Sequence, residues 1–207
     1  MKTTIGTKSP LYGANRGTEK NDLAKIANHL SSNEMMILSD DSIQEIKVSE
    51  IRIRSGSWID GIQFVYKITK DNKISFVEGH KFGGNGGSET VIKLTDDEYL
   101  VKMNGYYGDS SWFGNVDKLR IWTYSKSQGR VNLKGEFGGA WRTTEFEIAS
   151  DKLTYPLICF FGRCSGGSLS GLGMYESNVS LLEVKKEKDT YQKAQIVTPP
   201  PYRRNEF

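Results

Sequence analysis

The feature that most limits how this chain can fold is the placement of its glycines. Of the 22 glycines in 207 residues, 19 lie between Gly56 and Gly173, and none follows Gly173. Between them, short runs alternate apolar and polar side chains, as where Ile51 and Ile53 alternate with arginines. Such alternation, broken by glycine loops, is typical of strands joined by tight turns. The middle of the chain is therefore predicted to be all-β, as a sandwich, a barrel or a prism.

Composition narrows the class of protein. Apolar residues make up 37% of the chain and charged residues 26%, which fits one domain with its own core. The net charge is +3 and no basic field stands out, so no nucleic-acid partner is expected. No run approaches the roughly 20 apolar residues of a membrane helix, and residues 1–11 lack a signal-peptide core, which favours a cytoplasmic location. Cys159 and Cys164 fit free thiols in a reducing compartment, although one disulfide is also compatible with the count.

Helical periodicity is confined to one segment. Leu23, Ile26 and Leu30 share a face, which predicts a short helix over residues 21–30. We expect an N-terminal extension over residues 1–8, a β domain over 9–176 with an insertion at about 19–45, and a tail over 177–207. The tail is rich in Lys and Glu and is expected to be loosely attached.

Two glycine patterns recur three times. A five-residue loop with glycine at both ends occurs at residues 13–17, 83–87 and 135–139. A second pattern leads into a strand and places Asp60, Asp117 and Ser170 at equivalent positions, 57 and 53 residues apart. Asp60 and Asp117 are each followed by a glycine loop, and the loop at 13–17 is left to complete the unit of Ser170. Glycine loops recur in many β proteins, but the two patterns together indicate a closed threefold repeat.

These segments resemble the jacalin-related lectins. The resemblance runs from about Ser9 to Tyr175 and includes the loop at 13–17, the Gly-x-x-x-Asp loop at 56–60, the loop at 81–87 and the closing segment 160–175. It implies an all-β fold, the β-prism I, with three four-stranded antiparallel sheets around a pseudo-threefold axis. It also implies carbohydrate binding without catalysis or cofactors, at one end of the prism, by a Gly-x-x-x-Asp loop and the neighbouring glycine loop.

One complete candidate site follows from this resemblance. Its residues are Gly56, Ser57, Trp58, Ile59, Asp60, Gly86 and Gly87. A carboxylate accepts hydrogen bonds from two sugar hydroxyls, and backbone N–H groups exposed by glycine donate to sugar oxygens. We expect Asp60 to accept from O4 and O6 of a mannose- or glucose-type ring, with N–H groups of Trp58, Ile59 and Gly87 as donors. A turn-capping role is the alternative for Asp60.

The other two copies depart from the pattern. The second candidate site comprises Gly17, Gly167, Ser168, Leu169 and Ser170. Ser170 replaces the aspartate and Arg16 stands where the family usually has glycine, so we expect weak binding or none. The third copy, Asp117 with residues 135–139, has Phe113 in place of the leading glycine and is expected to be structural.

Several functions besides a glycan-binding lectin fit parts of the sequence. One is a β-prism that has lost sugar affinity and serves as a protein-interaction or assembly module; another is the sugar-targeting module of a toxin. Because one site binds a sugar weakly, useful avidity requires a homo-oligomer or a multivalent partner. Pro199, Pro200, Pro201 and Tyr202 match a PPxY peptide that offers a tail-mediated protein contact. No metal-ligand cluster or catalytic signature is found in the sequence.

Overall fold

A computed structural model describes residues 5–32, 37, 40–108, 114–139, 144–150 and 153–181, which contain fourteen strands and one helix. The strands are β1 (Ile5–Lys8), β2 (Tyr12–Gly13), β3 (Thr18–Asn21), β4 (Ile43–Ser55), β5 (Ile59–Lys70), β6 (Lys73–Glu78), β7 (Phe82–Gly83), β8 (Ser88–Lys93), β9 (Glu98–Tyr107), β10 (Val116–Ser125), β11 (Arg130–Gly138), β12 (Thr144–Ala149), β13 (Leu157–Ser165) and β14 (Ser168–Ser177). The helix, α1, spans Asp22–His29.

The strands form three antiparallel sheets. The first sheet has the order β1-β14-β13-β3, the second β6-β5-β4-β8 and the third β11-β10-β9-β12. The two-residue strands β2 and β7 pair with β14 and β5, the same partners as β1 and β6, so each continues an interrupted edge. Each sheet therefore has four strand positions. The predicted β-prism of three four-stranded sheets is confirmed.

The threefold repeat is visible in the backbone at three glycines. Gly13, Gly83 and Gly138 all have positive φ, of 113°, 100° and 74°. A Cβ at these glycines would overlap the carbonyl oxygens of Ser170, Asp60 and Asp117, respectively. Each of the three glycine loops thus packs in the same way against a residue near the start of the equivalent strand. For the third loop this corrects the sequence-based prediction, which places the loop at residues 135–139. Gly138 is the structural counterpart of Gly83, and Gly135 lies inside β11 beneath the ring of Phe137.

The predicted helix is confirmed and its apolar face is buried. The side chain of Asn21 accepts a hydrogen bond from the N–H of Leu23 at 3.0 Å, which caps the first turn. Leu23 and Ile26 are buried against the core. At the N-terminus, Ile5–Lys8 pair with β14 as an edge strand, so this part of the expected extension belongs to the first sheet.

A buried carboxylate fastens the helix to the second sheet. Asp22 is fully buried and accepts hydrogen bonds from the Tyr66 hydroxyl at 2.5 Å and from the His80 backbone N–H at 2.6 Å. Burial raises the pKa of the Asp22 carboxyl, although these hydrogen bonds oppose the rise. The segment between β3 and β4 is thus tied to the prism by a polar contact as well as by apolar packing.

The core lies between the sheets. Phe64 of the second sheet stacks on Phe160 of the first, with ring centroids 3.4 Å apart. Both cysteines are free thiols; Cys159 is buried and Cys164 is half-buried. Among the described residues, no helix is long and apolar enough to cross a membrane. Residues 182–207, with the PPxY peptide from Pro199 to Tyr202, and Phe113 of the third copy lie outside the described residues.

Candidate functional site

The two loops of the complete candidate site meet at one end of the second sheet. Ser55, the last residue of β4, pairs with Ile59 of β5 on one side and with Ser88 of β8 on the other. The loop at 56–60 joins β4 to β5 and the loop at 83–87 leads into β8, so the two loops lie at the same end of neighbouring strands. We call this pair of loops the first corner; the second corner is the equivalent pair at 166–170 and 13–17.

In the first corner the carboxylate of Asp60 lies directly against two glycines. A Cβ at Gly86 would overlap Oδ1 of Asp60, and one at Gly87 would lie 2.6 Å from Oδ2. The carbonyl oxygen of Asp60 accepts a hydrogen bond from the N–H of Gly84 at 2.8 Å, which fixes the start of the glycine loop. The absence of side chains at Gly86 and Gly87 leaves an acceptor carboxylate beside two exposed stretches of backbone.

The remaining predicted residues of the first corner play different parts. Trp58 is 44% exposed, and its indole N–H donates to Oδ1 of Asp60 at 3.2 Å. Ile59 is fully buried, backbone included, so a ligand can reach it only if binding uncovers this residue. The Ser57 carbonyl accepts a hydrogen bond from the N–H of Gly139. Gly56 is exposed, and its N–H donates to the Trp58 carbonyl. The structure thus brings together Gly56, Trp58, Asp60, Gly86 and Gly87.

Sequence reasoning missed a residue that contacts the glycine loop. Arg54 donates from Nε to the carbonyl oxygens of Asn85, at 3.0 Å, and Gly86, at 2.9 Å. Its Nη2 donates to the carbonyl oxygen of Gly87 at 3.0 Å. The alternating pattern of β4 indicates an outward-facing side chain at position 54, but nothing in it shows that this side chain reaches the loop.

The second corner keeps the backbone of the first but lacks its partly exposed carboxylate. Ser170 is fully buried, and its hydroxyl has no hydrogen-bond partner among the described residues. Leu169 is buried in the core, and Ser168 is half-buried. Arg16, at the position equivalent to Gly86, is half-buried and carries a long side chain where the first corner has none. The third copy differs again, because the Asp117 side chain is only 5% exposed.

The corners touch one another. A Cβ at Gly84 in the first corner would overlap the carbonyl oxygen of Gly167 in the second. On the other side, the N–H of Gly139 in the third copy donates to the Ser57 carbonyl at 3.0 Å. The three loop pairs therefore form one continuous surface at this end of the prism.

A groove of about 430 Å³ runs beside the second corner, away from Asp60. It is lined by Lys8, Ser9, Leu11, Gly13, Asn15, Glu19, Phe161 and Arg163. Its charged groups already have partners, since Arg163 pairs with Glu19 at 2.9 Å and Lys8 lies 4.3 Å from the Phe161 ring centroid. The described residues contain no cluster of His, Cys, Asp or Glu able to hold a metal ion.

Comparison with known proteins identifies the family. The model of the jacalin-like lectin domain matches residues 11–175. The chain belongs to the jacalin-like lectin family. Horcolin from Hordeum vulgare is 30% identical over 130 residues, which is 63% of this chain and 82% of horcolin. Jacalin-related lectin 18 from Arabidopsis thaliana is 27% identical over 156 residues, 73% of this chain and 23% of that protein.

Solved structures share the fold of this jacalin-like domain. Artocarpin complexed with methyl-α-mannose superposes with a TM-score of 0.58 at 19% identity, covering 86% of this chain and 99% of artocarpin. A mannose-binding jacalin-related lectin from Ananas comosus gives a TM-score of 0.55 at 24% identity, covering 82% of this chain and 96% of that lectin. The resemblance to the jacalin-related lectins, predicted from glycine motifs, is confirmed.

Proposed function

We propose that this jacalin-like domain is a non-catalytic lectin that binds mannose- or glucose-type glycans at its first corner. The observation that carries the proposal is the position of the Asp60 carboxylate, which is accessible and lies against Gly86 and Gly87. An acceptor-only carboxylate beside backbone donors matches adjacent sugar hydroxyls, which both donate and accept.

The polar groups of this corner suit a pyranose ring. We infer that Asp60 accepts from O4 and O6, that the N–H of Trp58 donates to O5 or O6, and that the N–H of Gly87 donates to O3. The N–H of Ile59 can join them only if binding uncovers this residue, which is fully buried in the structure. Trp58 is exposed and offers an apolar face to the next sugar of a glycan. A single sugar buries few contacts, so we expect a dissociation constant on the order of millimolar. Mannose-binding proteins among the solved structures of similar fold support the choice of sugar.

The second corner has no part in this proposal. The fully buried hydroxyl of Ser170 cannot replace the partly exposed carboxylate of Asp60, and Arg16 stands in place of Gly86. One binding corner per chain makes avidity dependent on a homo-oligomer or on a multivalent glycan.

The test is a calorimetric titration of the wild type and of Asp60→Ala. Methyl α-mannoside, methyl α-glucoside and methyl α-galactoside are the ligands, with circular dichroism as the check on folding. We expect heat from the first two ligands with the wild type and none with Asp60→Ala. A folded wild type that binds neither these sugars nor any glycan on an array would overturn the lectin proposal.

That negative result would favour the alternative, a β-prism that has lost sugar affinity and serves as a protein-interaction module. The observation in its favour is that Ser170 and Asp117 are both buried, so two of the three repeated positions present no accessible ligand group. Binding of mannose that depends on Asp60 would rule it out as the main function.

A further inference from the structure

The structure gives a cationic side chain an unusual position behind the first corner. Arg54 lies on β4, and its guanidinium donates to the carbonyl oxygens of three successive loop residues: Asn85, Gly86 and Gly87. A further nitrogen, Nη1, pairs with Glu89 of β8 at 3.3 Å. The planar guanidinium presents its five N–H donors in a fixed geometry, which permits several acceptors to be held at once.

Fixing these carbonyls also fixes the directions of the N–H groups that follow them. In a trans peptide unit, the C=O of one residue and the N–H of the next point to opposite sides. When Arg54 holds the carbonyls of Asn85 and Gly86, the N–H groups of Gly86 and Gly87 point away from it. The carboxylate of Asp60 lies beside these same two glycines. The guanidinium thereby aims two donors at the region that Asp60 serves as acceptor.

The charge adds to the geometry. A peptide group whose carbonyl accepts from a cation is polarised, and its N–H becomes a stronger donor. Asn85 is the one residue of the 83–87 loop other than glycine, and its side chain accepts a hydrogen bond from Lys81, which lies outside the loop. The loop therefore depends on contacts from outside to hold one conformation.

We propose that Arg54 is a positioning residue for sugar binding, which orients and polarises the Gly86 and Gly87 amides without touching the sugar. The proposal rests on the proposed function of the first corner. It goes further because it assigns the binding competence of a glycine loop to a side chain on a neighbouring strand.

Two arginines of the same chain provide matched controls. Arg52 lies two residues earlier on β4 and pairs with Glu50 and Glu78, at 2.6 and 2.8 Å. Arg163 is the counterpart of Arg54 in the second corner: it pairs in register with Gly171 as Arg54 does with Gly61, and it donates to the Gly17 carbonyl at 3.1 Å. Arg163 also pairs with Glu19, as Arg54 pairs with Glu89.

The experiment compares Arg54→Lys with Arg52→Lys and Arg163→Lys. Lysine keeps the charge but not the planar fork. Methyl α-mannoside affinity is measured by calorimetry, stability by thermal unfolding, and the sugar-free loop by NMR shifts and hydrogen exchange of the Gly86 and Gly87 amides. We expect Arg54→Lys to bind about tenfold more weakly, equivalent to about 1.4 kcal/mol, and both control variants to bind within about twofold of the wild type. Only Arg54→Lys should shift the two amides and speed their exchange.

The outcomes separate this proposal from the proposed function. Unchanged affinity in a folded Arg54→Lys would overturn the role of Arg54 and leave the lectin proposal standing. If the wild type binds no glycan, the lectin proposal fails, and the role of Arg54 is then tested by the NMR shifts and hydrogen exchange of the Gly86 and Gly87 amides alone. Unaltered shifts and exchange in Arg54→Lys would overturn the positioning role as well. Should Arg54→Lys fail to fold, Arg54→Gln is read by the same measurements and the same criteria.

Discussion

The first and second corners of this domain have nearly the same backbone but present different chemistry. Gly83 and Gly13 meet the carbonyls of Asp60 and Ser170 in the same way, and Arg54 and Arg163 each donate to a loop carbonyl and pair with a glutamate. The contrast lies in two positions. Asp60 beside Gly86 keeps its carboxylate partly exposed, whereas Ser170 is fully buried and Arg16 takes the place of Gly86. The repeated backbone provides the scaffold, and under the proposed function these two positions determine whether a sugar can bind.

The largest expected effect comes from importing the second corner's residue into the first. Asp60→Ser removes an acceptor that can receive hydrogen bonds from two hydroxyls, and hydrogen bonds to charged groups contribute about 1.5–3 kcal/mol each. We expect methyl α-mannoside binding to fall below calorimetric detection while the fold is kept. Ser170→Ala is the matched control and should bind as the wild type does. Equal losses in the two variants would mean that the second corner, too, binds sugar.

The next exchange is Gly86→Arg, which places the residue of position 16 in the first corner. A Cβ alone already overlaps Oδ1 of Asp60 at this position, so the carboxylate must move or the loop must open. We expect affinity to fall by about tenfold or more, a loss of at least about 1.4 kcal/mol. Calorimetry gives the affinity and thermal unfolding the stability. Wild-type affinity in a folded variant would contradict the role of the open glycine.

The reverse exchange should create a site. In the double variant Arg16→Gly with Ser170→Asp, the second corner gains a carboxylate and the open backbone beside it. The charge of the introduced carboxylate needs access to water, and the variant therefore also replaces Arg16, whose counterpart Gly86 lies against Asp60 in the first corner. The expected stoichiometry of mannoside binding rises from one to two per chain. A folded double variant that still binds one sugar would show that the corners differ in more than these two residues.

The part of β4 remote from the first corner supplies a test that separates stability from sugar binding. Lys47 is buried and donates to the carbonyls of Thr95 and Asp96, and burial lowers its pKa from 10.5 to about 8. Between these values the unfolded chain binds more protons than the folded one, so stability increases with pH. We expect Lys47 to contribute a gain of about 2 kcal/mol from pH 8 to 10, measured by urea unfolding, with little change in mannoside affinity.

The matched variant for this pH effect is Lys47→Met, in which the slope between pH 8 and 10 should be lost. Above pH 10 the tyrosines act in the opposite direction. Burial raises the pKa of Tyr66 and Tyr99, so the unfolded chain loses protons first and stability falls. A slope that persists unchanged in Lys47→Met would assign it to other groups.

The smallest effect is expected at Trp58. Trp58→Phe keeps an aromatic face but removes the indole N–H that donates to Oδ1 of Asp60. We expect a loss of no more than about threefold in affinity, because the carboxylate keeps its other contacts. Mannoside should change the tryptophan fluorescence of the wild type and leave that of the variant nearly constant. A loss as large as that of Asp60→Ser would show that the indole, rather than the carboxylate, dominates binding.

The sequence predicts much of this architecture because its signals are local. Alternation in β4 and β5, the helical face of Leu23 and Ile26, and the glycine loops are all readable without tertiary contacts. The failures arise where partners are far apart in the chain. Gly135 and Gly138 look alike in sequence, and only the pairing of β10 with β11 distinguishes a bulge from a loop. Arg54 contacts the loop from Asn85 to Gly87, which lies more than 30 residues further along the chain. This contact, like that between Asp22 and Tyr66, depends on how the strands assemble.

The contact between Gly84 and Gly167 has a consequence for how this surface can change through evolution. The backbone of one loop rests on the turn of the next, and a side chain at Gly84 would meet the Gly167 backbone. A corner that loses its ligand is therefore not released from constraint, because its turn still supports its neighbour. Sequence drift after loss of binding should reach Ser170 and Arg16 well before it reaches Gly84 or Gly167. Under the proposed function, the glycines of the second corner are therefore retained for packing rather than for binding, and glycine motifs alone do not give the number of working sites.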